Sequence, residues 1–259
     1  MGEPQAAAVD QPDSGPDLGP DLGPDLGSVS IRTAAIDLLF VLVTMFTIKA
    51  MLLQVAALWT YAGPVSLLAS LCVAHWRLRR NGESWRELGL HKPQKMGRTA
   101  LWAMALLIFT IATGIAIDNL VPVFIGDNAH PVDPRYAARF ADVPENLHLY
   151  LYWMIVSWVI GAFAEEMLFR AMLISRFERL FARFRYAVVI AVVLQAVLFG
   201  QQHLYYQGLH GALATGGIAL ISGVAYVLLK RTLWPLVLSH GLANSLGLTL
   251  IYVGMQPAG

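Results

Sequence analysis

Three short constellations in the C-terminal half of the chain combine residue types that hydrolytic chemistry uses. The first is Glu165-Glu166-Met167-Leu168-Phe169-Arg170, the second Phe199-Gly200-Gln201-Gln202-His203, and the third His240-Gly241-Leu242-Ala243-Asn244. Helical spacing puts Glu166 and Arg170 one turn apart on one face, where their charges neutralise each other. Glu165 is then turned about 100° away and needs another partner. His240 and Asn244 share a face in the same way. Singly, each constellation has a plain structural explanation: a salt bridge at a helix end, or a histidine hydrogen-bonded within packing. Together, two carboxylates, two imidazoles and an amide lie on three successive apolar segments and relieve one another's burial by converging. Convergence in a dry site would assemble a general base, a proton shuttle and hydrogen-bond donors. Those are the parts needed to hydrolyse an amide with an activated water.

The elements that must position these groups read as membrane helices. The chain is 57% hydrophobic and 14% charged, with a mean hydropathy of +0.57. Soluble domains carry roughly 25% charged residues. Here the charges are clustered between apolar runs, each long enough for the ~20 residues that cross a hydrocarbon core. The runs cover about 33–54, 57–76, 99–117, one starting near Leu147, 186–203, 212–229, and one from Trp234 to about Val253. The expectation is an all-α polytopic bundle of about seven spans, plus or minus one. The segment 171–185 has Leu173, Phe177 and Leu180 on one face and Arg176, Arg179 and Arg183 on another. It is expected to form an amphipathic helix, either lying in the interface or extending the fourth span.

Basic residues collect at 77–98, at 176–185 and at Lys230-Arg231, whereas the segment Asp118 to Glu145 is richer in acids. By the positive-inside rule the three basic loops are cytoplasmic. An integral protein of the cytoplasmic (inner) membrane of a bacterium is the expected setting. A charge within a span costs about 2.5–3.5 kcal/mol on insertion scales; Asp37 and Lys49 stand near run ends, where snorkelling would relieve them. Residues 1–30, with Gly-Pro-Asp-Leu repeating from Gly15 to Leu26, are expected to be a disordered acidic tail ahead of a membrane domain over 31–259. The single cysteine, Cys72, allows no disulfide within one chain, and a net charge of +1 gives no basis for nucleic-acid binding. The acidic N-terminus and the late, long first run do not read as a cleavable signal peptide.

At the three constellations the sequence resembles the type II CAAX prenyl endopeptidase and bacteriocin-processing (CPBP, or Abi) family of membrane proteases. That family's pattern is Glu-Glu-x-x-x-Arg, then Phe-x-x-x-His, then His-x-x-x-Asn or Asp. Here it is met in order by Glu165-Glu166…Arg170, Phe199…His203 and His240…Asn244, over a motif core of 147–250. Gly82-Glu83-Ser84-Trp85-Arg86-Glu87-Leu88-Gly89-Leu90 also looks like the loop before the family's third span.

The resemblance implies an intramembrane endopeptidase acting on a protein or peptide substrate, lipidated or membrane-bound; eukaryotic members remove a short C-terminal peptide from prenylated proteins. It implies Glu165 as general base assisted by His203. His240 and Asn244 would donate to the oxyanion, with Glu166 and Arg170 as the supporting ion pair. No cofactor is required on that reading. Zinc is the other option, held by Glu165, His203 and His240 as a three-ligand site, although no His-Glu-x-x-His is present. A non-proteolytic scaffold or immunity-type protein of the same fold is the alternative. A proton-coupled transporter would call for internal repeats and broken helices in paired halves, which the sequence does not display. One geometric demand follows. His240 stands about six residues into its run from the basic side, whereas His203 ends the fifth run. The two meet only if the fifth segment is displaced or tilted, or if the 165–185 helix shifts the depth of the site.

Overall fold

The computed structural model describes residues 29–93, 95–125 and 132–255. The repeat tail expected over 1–30 therefore falls, up to residue 28, outside the described residues. Every regular element among the described residues is helical. The Ser30 hydroxyl accepts from the Thr33 amide and starts α1 (Ile31–Leu53). A 3₁₀ turn (Ala56–Tyr61) leads into α2 (Ala62–Arg80), which folds back on α1. Then come α3 (Met96–Ile125) and the short α4 (Pro134–Ala138), capped by the Asp133 carboxylate. Asn146 caps α5 (Leu147–Val156). The chain continues from α5 without a break through two π-helical segments, Ser157–Ala164 and Glu166–Leu173, into α6 (Ile174–Leu180). The last two elements are α7 (Ala187–Leu228) and α8 (Trp234–Tyr252), the latter with Pro235 in its first turn.

The 42 residues of α7 are about twice what one crossing needs. The helix doubles back at Gly208, whose φ of 67° and ψ of −171° are outside helical space. Its arms, 187–207 and 209–228, lie against each other. Gln195 Nε2 donates to the Ala219 carbonyl at 2.9 Å. A Cβ on Gly200 would stand 2.4 Å from the Ala212 carbonyl oxygen, so small residues set the approach of the arms. The separate fifth and sixth runs of the sequence are thus two arms of one hairpin.

Five helices among the described residues are long and apolar enough to cross a membrane, the α7 hairpin counted as one. Its second arm and α8, made more polar by His240 and Asn244, bring the apolar helical segments to the expected seven. The protein is an integral membrane protein built as a helical bundle.

Two expectations need correction, and one open choice is decided. The amphipathic segment does not lie in an interface. It extends the fourth span, ends at Leu180 rather than 185, and buries Ile174, Ser175, Arg176 and Phe177 together. The third run continues past residue 117 to Ile125, carrying Asp118 and Pro122 inside the helix. Asp37 and Lys49 do not snorkel: both are buried. Asp37 receives Arg77 Nε at 2.6 Å, Arg176 Nε at 2.8 Å and Asn81 Nδ2 at 3.1 Å. Lys49 Nζ donates to the Gln202 carbonyl (2.8 Å) and side-chain oxygen (3.0 Å).

The three basic clusters meet at one end of the bundle. Arg176 pairs with Glu83 as well as with Asp37, and Arg231 pairs with Glu178 at 2.6 Å. The 82–90 loop docks onto the turn between α7 and α8: Leu233 N–H donates to the Gly89 carbonyl and Tyr226 Oη to that of Leu88. Gly89 has φ +100°, and a Cβ there would fall 1.8 Å from the Arg231 carbonyl oxygen, so only glycine fits. The acidic segment gathers at the other end, where Asp133 N–H donates to the Tyr206 carbonyl and Glu145 N–H to that of Tyr252.

Candidate active site

Between the two ends lies a cavity of about 530 Å³. Its wall is made by the start of α2, the middle of α3, the segment around α4, the π-helical stretch, both arms of α7, and α8. Glu165, Arg170, Phe199, His203, His240 and Asn244 all face it.

Glu165 is the hinge between the two π-helical segments, a distortion found often at functional sites. The first π segment packs tightly on α8. A Cβ on Gly161 would stand 2.9 Å from Asn244 Nδ2, and one on Gly241 would stand 2.5 Å from the Trp158 ring. Trp158 Nε1 donates to Ser245 Oγ at 2.9 Å, which fixes the rotation of α8. Glycine at both crossing points lets the two helices approach closely enough for the side chains of α8 to reach the carboxylates.

Glu166 and Arg170 are each about 1% exposed, and Arg170 Nε stands 3.1 Å from Glu166 Oε2. The other carboxylate oxygen, Glu166 Oε1, lies 2.8 Å from His240 Nδ1. On the opposite side of that imidazole, Nε2 stands 3.9 Å from Glu165 Oε2. His240 thus lies between the two adjacent glutamates, and it is the partner that the off-face Glu165 required. Both His240 and Glu165 keep about a fifth of their side-chain surface open, unlike the sealed ion pair behind them.

Phe199 joins the rest. The Arg170 guanidinium sits 4.6 Å over its ring. The His203 ring is 4.7 Å away and the His240 ring 6.3 Å. His203 Nδ1 is hydrogen-bonded to the Phe199 carbonyl at 2.8 Å. Asn244 Nδ2 reaches the Ser157 carbonyl at 3.5 Å, a long contact that leaves the amide free to turn. The structure therefore brings Glu165, Glu166, Arg170 and His240 into one contacting cluster. His203 and Asn244 border the same cavity without a direct hydrogen bond to Glu165 among the described residues. The two histidines do meet at one site: both line the same cavity, and the Phe199 ring, one turn before His203, lies near both imidazoles.

Among the described residues no three His, Cys, Asp or Glu side chains are grouped to hold a metal ion. Glu165, His203 and His240 line one cavity, with the Phe199 ring beside the two histidines. Sequence reasoning missed Tyr205 and Tyr206, which line the far part of the cavity beside Arg139. Their only sequence signal was an aromatic pair beginning two residues after His203. It also missed Trp158 and Ser245, whose role in setting α8 depends on packing across the π segment.

No curated protein and no solved structure matches the chain. Residues 147–246, which hold all six of the site residues, match the model of the family described as type II CAAX prenyl endopeptidase Rce1-like.

Proposed function

We propose that the protein is an intramembrane endopeptidase that hydrolyses a peptide bond with a water activated by Glu165. The observation that carries the reading is the pair of adjacent glutamates around one imidazole. Glu166 holds His240 at 2.8 Å while Glu165, 3.9 Å from the other ring nitrogen, faces the cavity. One carboxylate is consumed in orienting and the other is left to react, a division of labour that a purely structural ion pair does not need.

In the proposed cycle Glu165 takes a proton from water as its oxygen attacks the scissile carbonyl carbon. The proton of Glu165 then passes to the amine as the C–N bond breaks, which restores the carboxylate. His203, on the cavity wall, assists in placing the water. Glu166, paired with Arg170, orients the His240 ring, and His240 and the Asn244 amide give hydrogen bonds to the tetrahedral oxyanion. Donors set in a water-poor site in advance of reaction stabilise such charge more than they would in bulk water.

The proposed substrate is a protein or peptide, lipidated or membrane-bound, reaching the site from the bilayer. The proposed setting is a bacterial cytoplasmic membrane with the basic end in the cytoplasm. Each step uses the chain's own side chains and none is routed through zinc; activity retained after chelator treatment and metal analysis of the purified protein would support that version. The deciding experiment compares peptide termini in membranes containing the wild type or Glu165→Gln by mass spectrometry. Termini that appear with the wild type alone support hydrolysis. Identical termini would sink it and favour a non-proteolytic scaffold.

A further inference from the structure

The cavity wall remote from Glu166 carries a cation that the hydrolytic cycle does not use. Arg139 follows α4 and faces the same cavity as Glu165 and His203. Its guanidinium lies 5.4 Å from the Tyr206 ring and 5.8 Å from those of Trp59 and Trp153. One terminal nitrogen donates to the Thr60 carbonyl at 3.3 Å. Its Nε is buried without a hydrogen-bond partner, and no carboxylate pairs with it among the described residues. Aromatic faces hold a guanidinium above and below its plane, but they leave its in-plane N–H groups seeking acceptors. A carboxylate takes two such groups at once. A second cation, Lys49, is buried close by, bonded to Gln202 and 4.3 Å over the Tyr205 ring, also without an acidic partner among the described residues. Lys49 lies behind the cavity wall, so Arg139 is the cation that faces the cavity away from the glutamates.

We infer that Arg139 is a specificity-determining residue that binds a carboxylate of the substrate. The inference rests on the hydrolase reading above. Tyr206 gives the scale: its ring is 5.4 Å from the Arg139 guanidinium and 5.5 Å from the His203 ring. An extended peptide advances about 3.3–3.6 Å per residue, so a carboxylate roughly two to four residues from the scissile bond reaches Arg139. That carboxylate is either the free C-terminus of the substrate or an acidic side chain.

The test uses the full chain in lipid nanodiscs and short randomised peptides with an N-terminal palmitoyl anchor. The peptides are made in three forms: neutral free acids, neutral C-terminal amides, and amides containing Asp or Glu. Mass spectrometry of products is expected to show one carboxylate-bearing form cut about tenfold faster than the neutral amide. Faster cutting of the free acids identifies the C-terminus, and faster cutting of the acidic amides identifies a side chain. Arg139→Gln is expected to erase the difference and Arg139→Lys to keep part of it, both eluting as the wild type does in detergent. Equal rates on all three forms overturn the inference. Binding of the same peptides to Glu165→Gln, read by fluorescence anisotropy, separates the two readings. Carboxylate-dependent binding that Arg139→Gln removes supports the Arg139 site even if the wild type cuts nothing, in which case the hydrolase reading alone fails. Binding that ignores the carboxylate overturns the site whatever the cleavage result.

Discussion

The protein buries two ionic clusters, and they are built differently. At the basic end, Asp37 is enclosed by Arg77, Arg176 and Asn81, and Arg176 also pairs with Glu83. Both Asp37 oxygens are engaged, the 530 Å³ cavity does not reach the cluster, and none of its fully buried side-chain polar atoms is left without a partner among the described residues. It ties α1, α2, α6 and the loop after α2 together. In the Glu165–Glu166–Arg170–His240 cluster the engagement is incomplete. Arg170 Nη1 is buried with no hydrogen-bond partner, the Arg170 Nε to Glu166 Oε2 contact is close without hydrogen-bond alignment, and Glu165 meets its neighbour only at 3.9 Å. This second cluster opens on the 530 Å³ cavity. Buried charges that saturate one another hold helices together. Charges left partly unsatisfied beside a cavity are available to a substrate.

Mutation can break that comparison, most strongly at the two acids that stand for each cluster. Glu165→Gln keeps the volume and removes the base. On the proposed cycle it lowers cleavage by about 10²–10⁴-fold, the usual share of a general base, and leaves thermal unfolding in detergent close to that of the wild type. Asp37→Ala should do the reverse. It strands Arg77 and Arg176 in a buried site, which costs about 3–5 kcal/mol, read as a large drop in unfolding temperature. The molecules that remain folded should cleave at the wild-type rate. If Asp37→Ala abolishes cleavage in well-folded protein, the division into a structural and a reactive cluster is wrong.

Much of this was legible in the sequence, for identifiable reasons. Apolar run length and the parity of the basic clusters gave the seven segments, because lipid demands ~20 apolar residues per crossing wherever the helix stands. The i, i+4 spacing gave the Glu166–Arg170 pair, because it needs nothing beyond one helix. Long-range partners were not legible. That His240 lies between Glu165 and Glu166 depends on how closely α8 approaches the π segment, and nothing in local spacing announces a π turn. The same holds for Asp37. Its place near the end of an apolar run suggested snorkelling, and only the arrival of Arg176 from residues far along the chain turns it into a buried network. For 171–185 two placements stayed open, in the interface or extending the fourth span, and only the pairing of Arg176 with Asp37 and Glu83 decides for the span.

Between the two extremes stands Glu166, which belongs to the reactive cluster but is sealed like the structural one. Glu166→Gln keeps a hydrogen-bond acceptor for His240 and removes the charge that balances Arg170. Loss of one partner of a buried pair should therefore lower the unfolding temperature. Cleavage should fall as well, by about 10–100-fold, as expected when an orienting partner behind a reacting group is weakened. A variant that loses stability alone would move Glu166 into the structural class and leave Glu165 as the only reactive acid.

The finest distinction is drawn by Gly161, which carries no charge. A Cβ there would stand 2.9 Å from Asn244 Nδ2, the end of a side chain that can turn. The 3.5 Å contact of that amide with the Ser157 carbonyl is weak enough to give way. Gly161→Ala should therefore fold about as well as the wild type, since alanine is favoured over glycine in a helix by up to ~1 kcal/mol. Its effect should fall on the Asn244 amide, which on the proposed cycle donates to the oxyanion. A drop in kcat of several-fold, roughly 1 kcal/mol or less of transition-state stabilisation, with KM nearly constant, is the expected pattern. A rise in KM with kcat unchanged would instead mean that the Asn244 amide binds the substrate equally in the ground state and the transition state. It would then belong with Arg139 among the groups that hold the peptide, apart from those that act on its carbonyl.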